Sequence, residues 1–162
     1  MPYAMFFQHF PEIAERETRA IRILQRLPSG LAPGEYSLLE MFCDEPGCDC
    51  RRVMFSVVSS RTKNVEAVVA YGWEARDFYV NWMGDDEPAV IDDLQGPVLN
   101  LASPQSKQAP AILVLIKTVV LQDEAYIERV KRHYALFRER VDGNRPLPKK
   151  ATERRRRKPR GG

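Results

Sequence analysis

Cys43, Cys48 and Cys50 are the only cysteines of the chain, and they fall within eight residues between two stretches that read as β-strands. Three thiols this close can act together only if the backbone reverses between them. Asp44, Glu45, Pro46 and Gly47 supply that reversal, with Pro46-Gly47 as the turn dipeptide. Residues 35–43 and 51–59 on either side are rich in aromatic and β-branched side chains, as are residues 65–71. Residues 60–64 form a loop of hairpin length. The expected core is an antiparallel β-meander with a cysteine-bearing turn.

The spacing Cys-x4-Cys-x-Cys suits a thiolate metal site. Zinc is the expected ion, because it takes thiolates in compact turns and four ligands in tetrahedral array. Arg51 and Arg52 follow at once, and their charge favours thiolates over thiols. An odd cysteine count argues against a closed disulfide framework and for a reducing, cytoplasmic setting. Three thiolates leave one ligand to find. The chain has two histidines, and His133 falls next to the apolar stripe of the last predicted helix. A Cys3His site closed by His133 is the sharp expectation. His9, Asp44, Asp49 or a water could fill the position instead. Two other readings of the cluster stay open: reduced thiols at a hairpin end, or a metal- or thiol-dependent enzyme or redox sensor.

Helices are expected around this meander, which makes the fold class α+β with C-terminal helices packed on the sheet. Pro11 can open a short helix to about residue 17, followed by a strand near 20–24. Phe6, Phe7 and Phe10 are expected to pack on the body. Residues 28–34 read as a loop by their breakers. Residues 72–84, with Trp73, Phe78, Tyr79 and Trp82, continue the sheet or form a short helix, and those aromatics are expected in the core. Asp85, Asp86 and Glu87 precede Pro88 at a helix start that Gly96 stops. Residues 103–110 read as a loop and 111–121 as a buried helix. Residues 123–141 carry the clearest helix: Ile127, Val130, Tyr134, Phe137 and Val141 recur at intervals of three and four.

The net charge of +3 hides a division. Residues 145–162 hold nine Lys or Arg and one acid, whereas the other 144 residues hold 16 basic and 21 acidic groups. A segment this polar cannot bury enough surface to order itself, so residues 1–144 are expected to form a single domain and 145–162 a disordered tail. Arg154, Arg155, Arg156, Arg157, Lys158 and Arg160 are candidates to neutralise the phosphates of nucleic acid or another polyanion without reading sequence. The longest apolar run, residues 111–116, is far short of the roughly 20 residues of a membrane span, and the first ten residues lack the basic start of a secretory signal. No phosphate-binding glycine loop, nucleophile elbow or His-Glu-x-x-His pattern is present.

The stretch EYSLLEMFCDEPGCDCRRV at 35–53, together with Arg132, His133 and Tyr134, resembles a group of uncharacterised bacterial proteins related to SEC-C motif-associated proteins. The resemblance covers about residues 11–141. It implies that Cys43, Cys48, Cys50 and His133 match the group's distinctive positions, and it implies no established activity. The chain departs from the members that carry a C-terminal SEC-C zinc motif, because its tail has no cysteine and is rich in arginine instead. The expected function is therefore a small zinc-stabilised binding or adaptor module, not an enzyme, with a protein partner that the residues do not name.

Overall fold

The structure is a computed structural model that describes residues 2–143; the expectations for the tail lie outside the described residues. The chain opens with β1 (Tyr3–Met5), the helical turn α1 (Phe6–His9) and the short helix α2 (Pro11–Glu17), with Pro11 at its first position. Then come β2 (Arg19–Ile23) and the meander β3 (Gly34–Cys43), β4 (Arg52–Ser59) and β5 (Val65–Gly72). Two short helices, α3 (Arg76–Met83) and α4 (Pro88–Gln95), lead to the two-residue strand β6 (Val98–Leu99). The chain continues through α5 (Ala109–Thr118) and a 3-10 turn (Val120–Gln122) to α6 (Glu124–Gly143).

All six strands form one antiparallel sheet in the order β1-β3-β4-β5-β6, with β2 also paired to β3. Alternation decides which face each residue joins. Tyr36, Leu38 and Phe42 of β3 point the same way as Val53, Phe55 and Val57 of β4 and as Val69 of β5, and all are buried. They meet Ile112 and Ile116 of α5 and Val130 and Phe137 of α6 in one apolar cluster. Each such side chain contributes about 1.5–3 kcal/mol by leaving water. A smaller cluster joins Tyr79 to Ile91 and Leu94. The meander is therefore as expected, and so is the helix-then-strand reading of residues 11–23.

Within the ambiguous stretch 72–84, Gly72 ends β5 and residues 76–83 form helix. Trp73 lies just before α3 and packs edge-on against Tyr134 at 5.0 Å, while Tyr79 is fully buried. Phe7 departs from expectation. Phe6 takes the core position in α1, and Phe7, one residue on and so about 100° round the helix, is 41% exposed.

Gly72 holds the sheet end open for the loop that carries the cysteines. It pairs with Arg52 across β4 and β5. A Cβ added there would lie 2.2 Å from Tyr79 Oη and 2.9 Å from the Leu94 carbonyl oxygen. The Tyr79 hydroxyl crosses this gap to donate to the Arg51 carbonyl at 2.9 Å. Gly72→Ala is expected to cost about 1–3 kcal/mol through overpacking, read as a lower urea midpoint. An unchanged midpoint would exclude this role for the glycine.

Candidate metal centre

β3 ends at Cys43 and β4 begins at Arg52, so residues 44–51 cross the end of the sheet. The first bend closes with a hydrogen bond from the Cys48 amide to the Glu45 carbonyl at 3.2 Å, around Gly47 at φ 76°. The second bend uses Arg51 at φ 48°, a left-handed conformation uncommon outside glycine. Several contacts fix Arg51 there. Its amide donates to Tyr134 Oη at 3.2 Å, its guanidinium pairs with Asp49 and Glu74, and that guanidinium also lies over the Phe78 ring at 4.5 Å.

These bends bring the sulfurs of Cys43, Cys48 and Cys50 within 4.8 Å of one another. All three thiols are free; Cys43 and Cys50 are buried and Cys48 is half-buried. Burial pushes each thiol above its ordinary range, and for Cys48 the neighbouring Cys50 adds to the effect. Backbone hydrogen bonds oppose the shift: the Glu45, Cys50 and Arg52 amides act on the sulfurs of Cys43, Cys48 and Cys50 respectively. These amides, each two residues ahead of its cysteine, pull toward the thiolate without overcoming burial, which keeps all three thiols raised.

One stripe of α6 carries the loop. Tyr134, Arg138 and Asp142 are spaced four apart, so they lie along one face of the helix. Tyr134 Oη donates to Asp49 at 3.2 Å. Arg138 donates from Nη1 to the Cys48 carbonyl at 2.7 Å and from Nη2 to the Glu45 carbonyl at 3.2 Å. The Gly47 amide donates to Asp142 Oδ1 at 2.8 Å. Sequence reading selected this helix for its apolar stripe and passed over the polar one beside it. The four-residue spacing of Tyr, Arg and Asp was the available signal.

Arg52 stands on the opposite side of the sheet from the main core and is only 6% exposed. Its guanidinium donates to the Leu94 carbonyl at 2.8 Å, the Asp93 carbonyl at 3.3 Å and Tyr3 Oη at 3.1 Å. Among the described residues, no carboxylate oxygen lies within 4.0 Å of it. Burial pushes the Tyr3 hydroxyl well above its ordinary range; Arg52 opposes that shift, and all three cysteines reinforce it. Tyr3 and Arg52 therefore belong to the electrostatic environment of the cluster.

His133 does not join the three sulfurs. It is buried on α6 as expected, but its Nδ1 lies 2.8 Å from Glu40 Oε1 and its Nε2 lies 3.5 Å from Glu17 Oε2. The Phe6 ring stacks on the imidazole at 4.3 Å. The reason is helical geometry. One residue is about 100° of rotation, so Tyr134 faces the loop while His133 faces the middle of β3 and the end of α2. Glu40 also accepts from Tyr126 Oη at 3.3 Å, and Arg132 holds the Glu17 carboxyl down at about 2 by hydrogen bonding to it. The other candidates are engaged elsewhere: His9 meets the Phe137 ring edge-on, and Asp49 accepts from Arg51 and Tyr134. The Asp44 amide donates to the Pro2 carbonyl, and Asp44 is not part of the group. Among the described residues, the group that could hold a metal is the three cysteines alone.

Among the described residues, no helix is long and apolar enough to cross a membrane. No protein family, curated protein or solved structure matches the chain.

Proposed function

We propose that the protein is a zinc-stabilised binding or adaptor module of the reducing cytoplasm, in which Cys43, Cys48 and Cys50 hold the ion as thiolates. The observation that carries this reading is the charge around the sulfurs. A buried cation without an acidic partner is costly. Arg52 is such a cation; Arg138, 9% exposed beside the loop, is a second guanidinium but has Asp142 at 3.7 Å. Three thiolates on a divalent ion keep a net negative charge, which offsets a buried guanidinium; three neutral thiols do not. A tetrahedral ion takes its remaining ligand from water or from a group outside the described residues. Held in this way, the ion ties the end of β3 to the start of β4 and presents the loop on the surface of α6.

The second half of the proposal concerns the tail. Arg154, Arg155, Arg156, Arg157, Lys158 and Arg160 follow α6 in sequence, and their charge suits a polyanion such as nucleic acid, bound with strong salt dependence. The resemblance to the uncharacterised bacterial group is consistent with this reading and adds no activity to it.

Elemental analysis of protein purified without added metal tests the site. About one zinc per chain is expected, with thiols that react slowly until the metal is removed. Protein free of metal, with all three thiols reacting at once under native conditions, would overturn the proposal.

A further inference from the structure

At the other end of β3, seven residues from Cys43 and so roughly 20 Å away along the strand, a cleft of about 450 Å³ opens beside Tyr36. Its size falls within the range of small-molecule pockets. We propose that this cleft binds a small phosphate-bearing ligand, independently of the metal centre.

Three exposed cations from three separate segments converge on it: Arg26 from the β2–β3 loop, Arg61 from the β4–β5 turn and Lys107 just before α5. Each arginine is steadied by one backbone carbonyl. Arg26 donates to Gly30 at 2.9 Å and Arg61 to Pro33 at 3.3 Å. None of the three cations has a carboxylate within 4.0 Å among the described residues. Their remaining donors are available to an anion, and charge-assisted bonds from guanidinium to phosphate are among the strongest polar contacts.

The walls add neutral donors. Ser29 lines the cleft at its rim and Ser59 lies at its floor; Thr62 also lines it, but its O–H is already given to Glu66. The Ala109 amide of α5 is used by the Ser106 carbonyl and Pro110 has no N–H, but the Ala111 amide, which also lines the cleft, has no backbone partner. One acid is nearby: buried Glu66 accepts from the Thr62 hydroxyl at 2.6 Å. Three cations against that one carboxylate leave the cleft positive. The chain outside residues 145–162 is acidic as a whole, with 21 acids against 16 bases even with these three cations counted. A local positive concavity on an acidic surface admits a small anion and repels a long polyanion. That contrast selects a small ligand over a nucleic acid strand.

Pyrophosphate titrated into the 15N-labelled full chain at physiological salt tests the proposal. Saturable shifts are expected at the Ser29, Thr62 and Ala111 amides. The double variant Arg61→Gln/Lys107→Gln, whose exposed side chains leave the core untouched, should weaken the dissociation constant by about tenfold or more. Metal content should not change, which separates this site from the cysteine centre. Shifts confined to residues 145–162, shifts unaffected by the double variant, or saturation only with an RNA oligonucleotide would each overturn it.

Discussion

On the proposed zinc reading, a strong chelator is expected to lower the thermal midpoint by about 10 °C while leaving the far-ultraviolet circular dichroism unchanged. The reasoning combines two features. The main apolar cluster runs from Phe6 to Phe137 through β3, β4, β5, α5 and α6, and no cysteine belongs to it. The sheet and helices therefore keep their driving force without metal. The loop 44–51 loses its anchor, because burial then favours neutral thiols. Those thiols no longer offset Arg52. A loss of about 3 kcal/mol in a domain of this size shifts the midpoint by roughly 10 °C. Hydrogen exchange supplies a local readout: the Gly47 and Cys48 amides, bonded to Asp142 and to the Glu45 carbonyl, should lose protection first. A midpoint that does not move on chelation would show that the cluster contributes nothing to the fold.

Arg52→Met is expected to cost about 3–5 kcal/mol and to weaken zinc binding about 10–100-fold. Methionine fills a similar stem but donates nothing. Tyr3 Oη and the carbonyls of Leu94 and Asp93 would lose the guanidinium that bridges them. The thiolates would lose their buried counter-charge. Arg51→Met is the matched control, one residue away. Arg51 is 40% exposed in its side chain and pairs with Asp49 and Glu74 near solvent, so its loss should cost about 1 kcal/mol or less. Urea denaturation and competition against a zinc-binding dye measure the two quantities. Equal effects of the two substitutions on zinc affinity would sink the charge-offset argument.

The helix stripe shows where sequence reading reached its limit. Ile127, Val130, Tyr134, Phe137 and Val141 identified α6, and Val130, Tyr134 and Phe137 are buried as a 3.6-residue period requires. The same period cannot say which strand or loop lies opposite each position. His133 and Tyr134 are adjacent in sequence, yet one meets Glu40 and the other the cysteine loop. The choice depends on how α6 is rotated against the sheet, and that rotation is set by packing across some 90 residues of chain. Arg52 illustrates the same limit. Arg51 and Arg52 look alike in sequence, but the left-handed bend at Arg51 turns its side chain toward Asp49 and Glu74 near solvent, while Arg52, the first residue of β4, is buried against the end of α4.

The sequence by itself determined the meander, its helices and the proximity of the three thiols. Strand propensity, period and a Pro-Gly turn are local properties, and eight residues are too few to separate the cysteines. Only the tertiary structure decided what surrounds the sulfurs. Tyr3, Arg52 and Arg138 come from distant segments, His133 turns away to Glu40 and Glu17, and the cationic cleft draws on three loops. Such neighbours are fixed by the packing of whole elements, which no local pattern encodes.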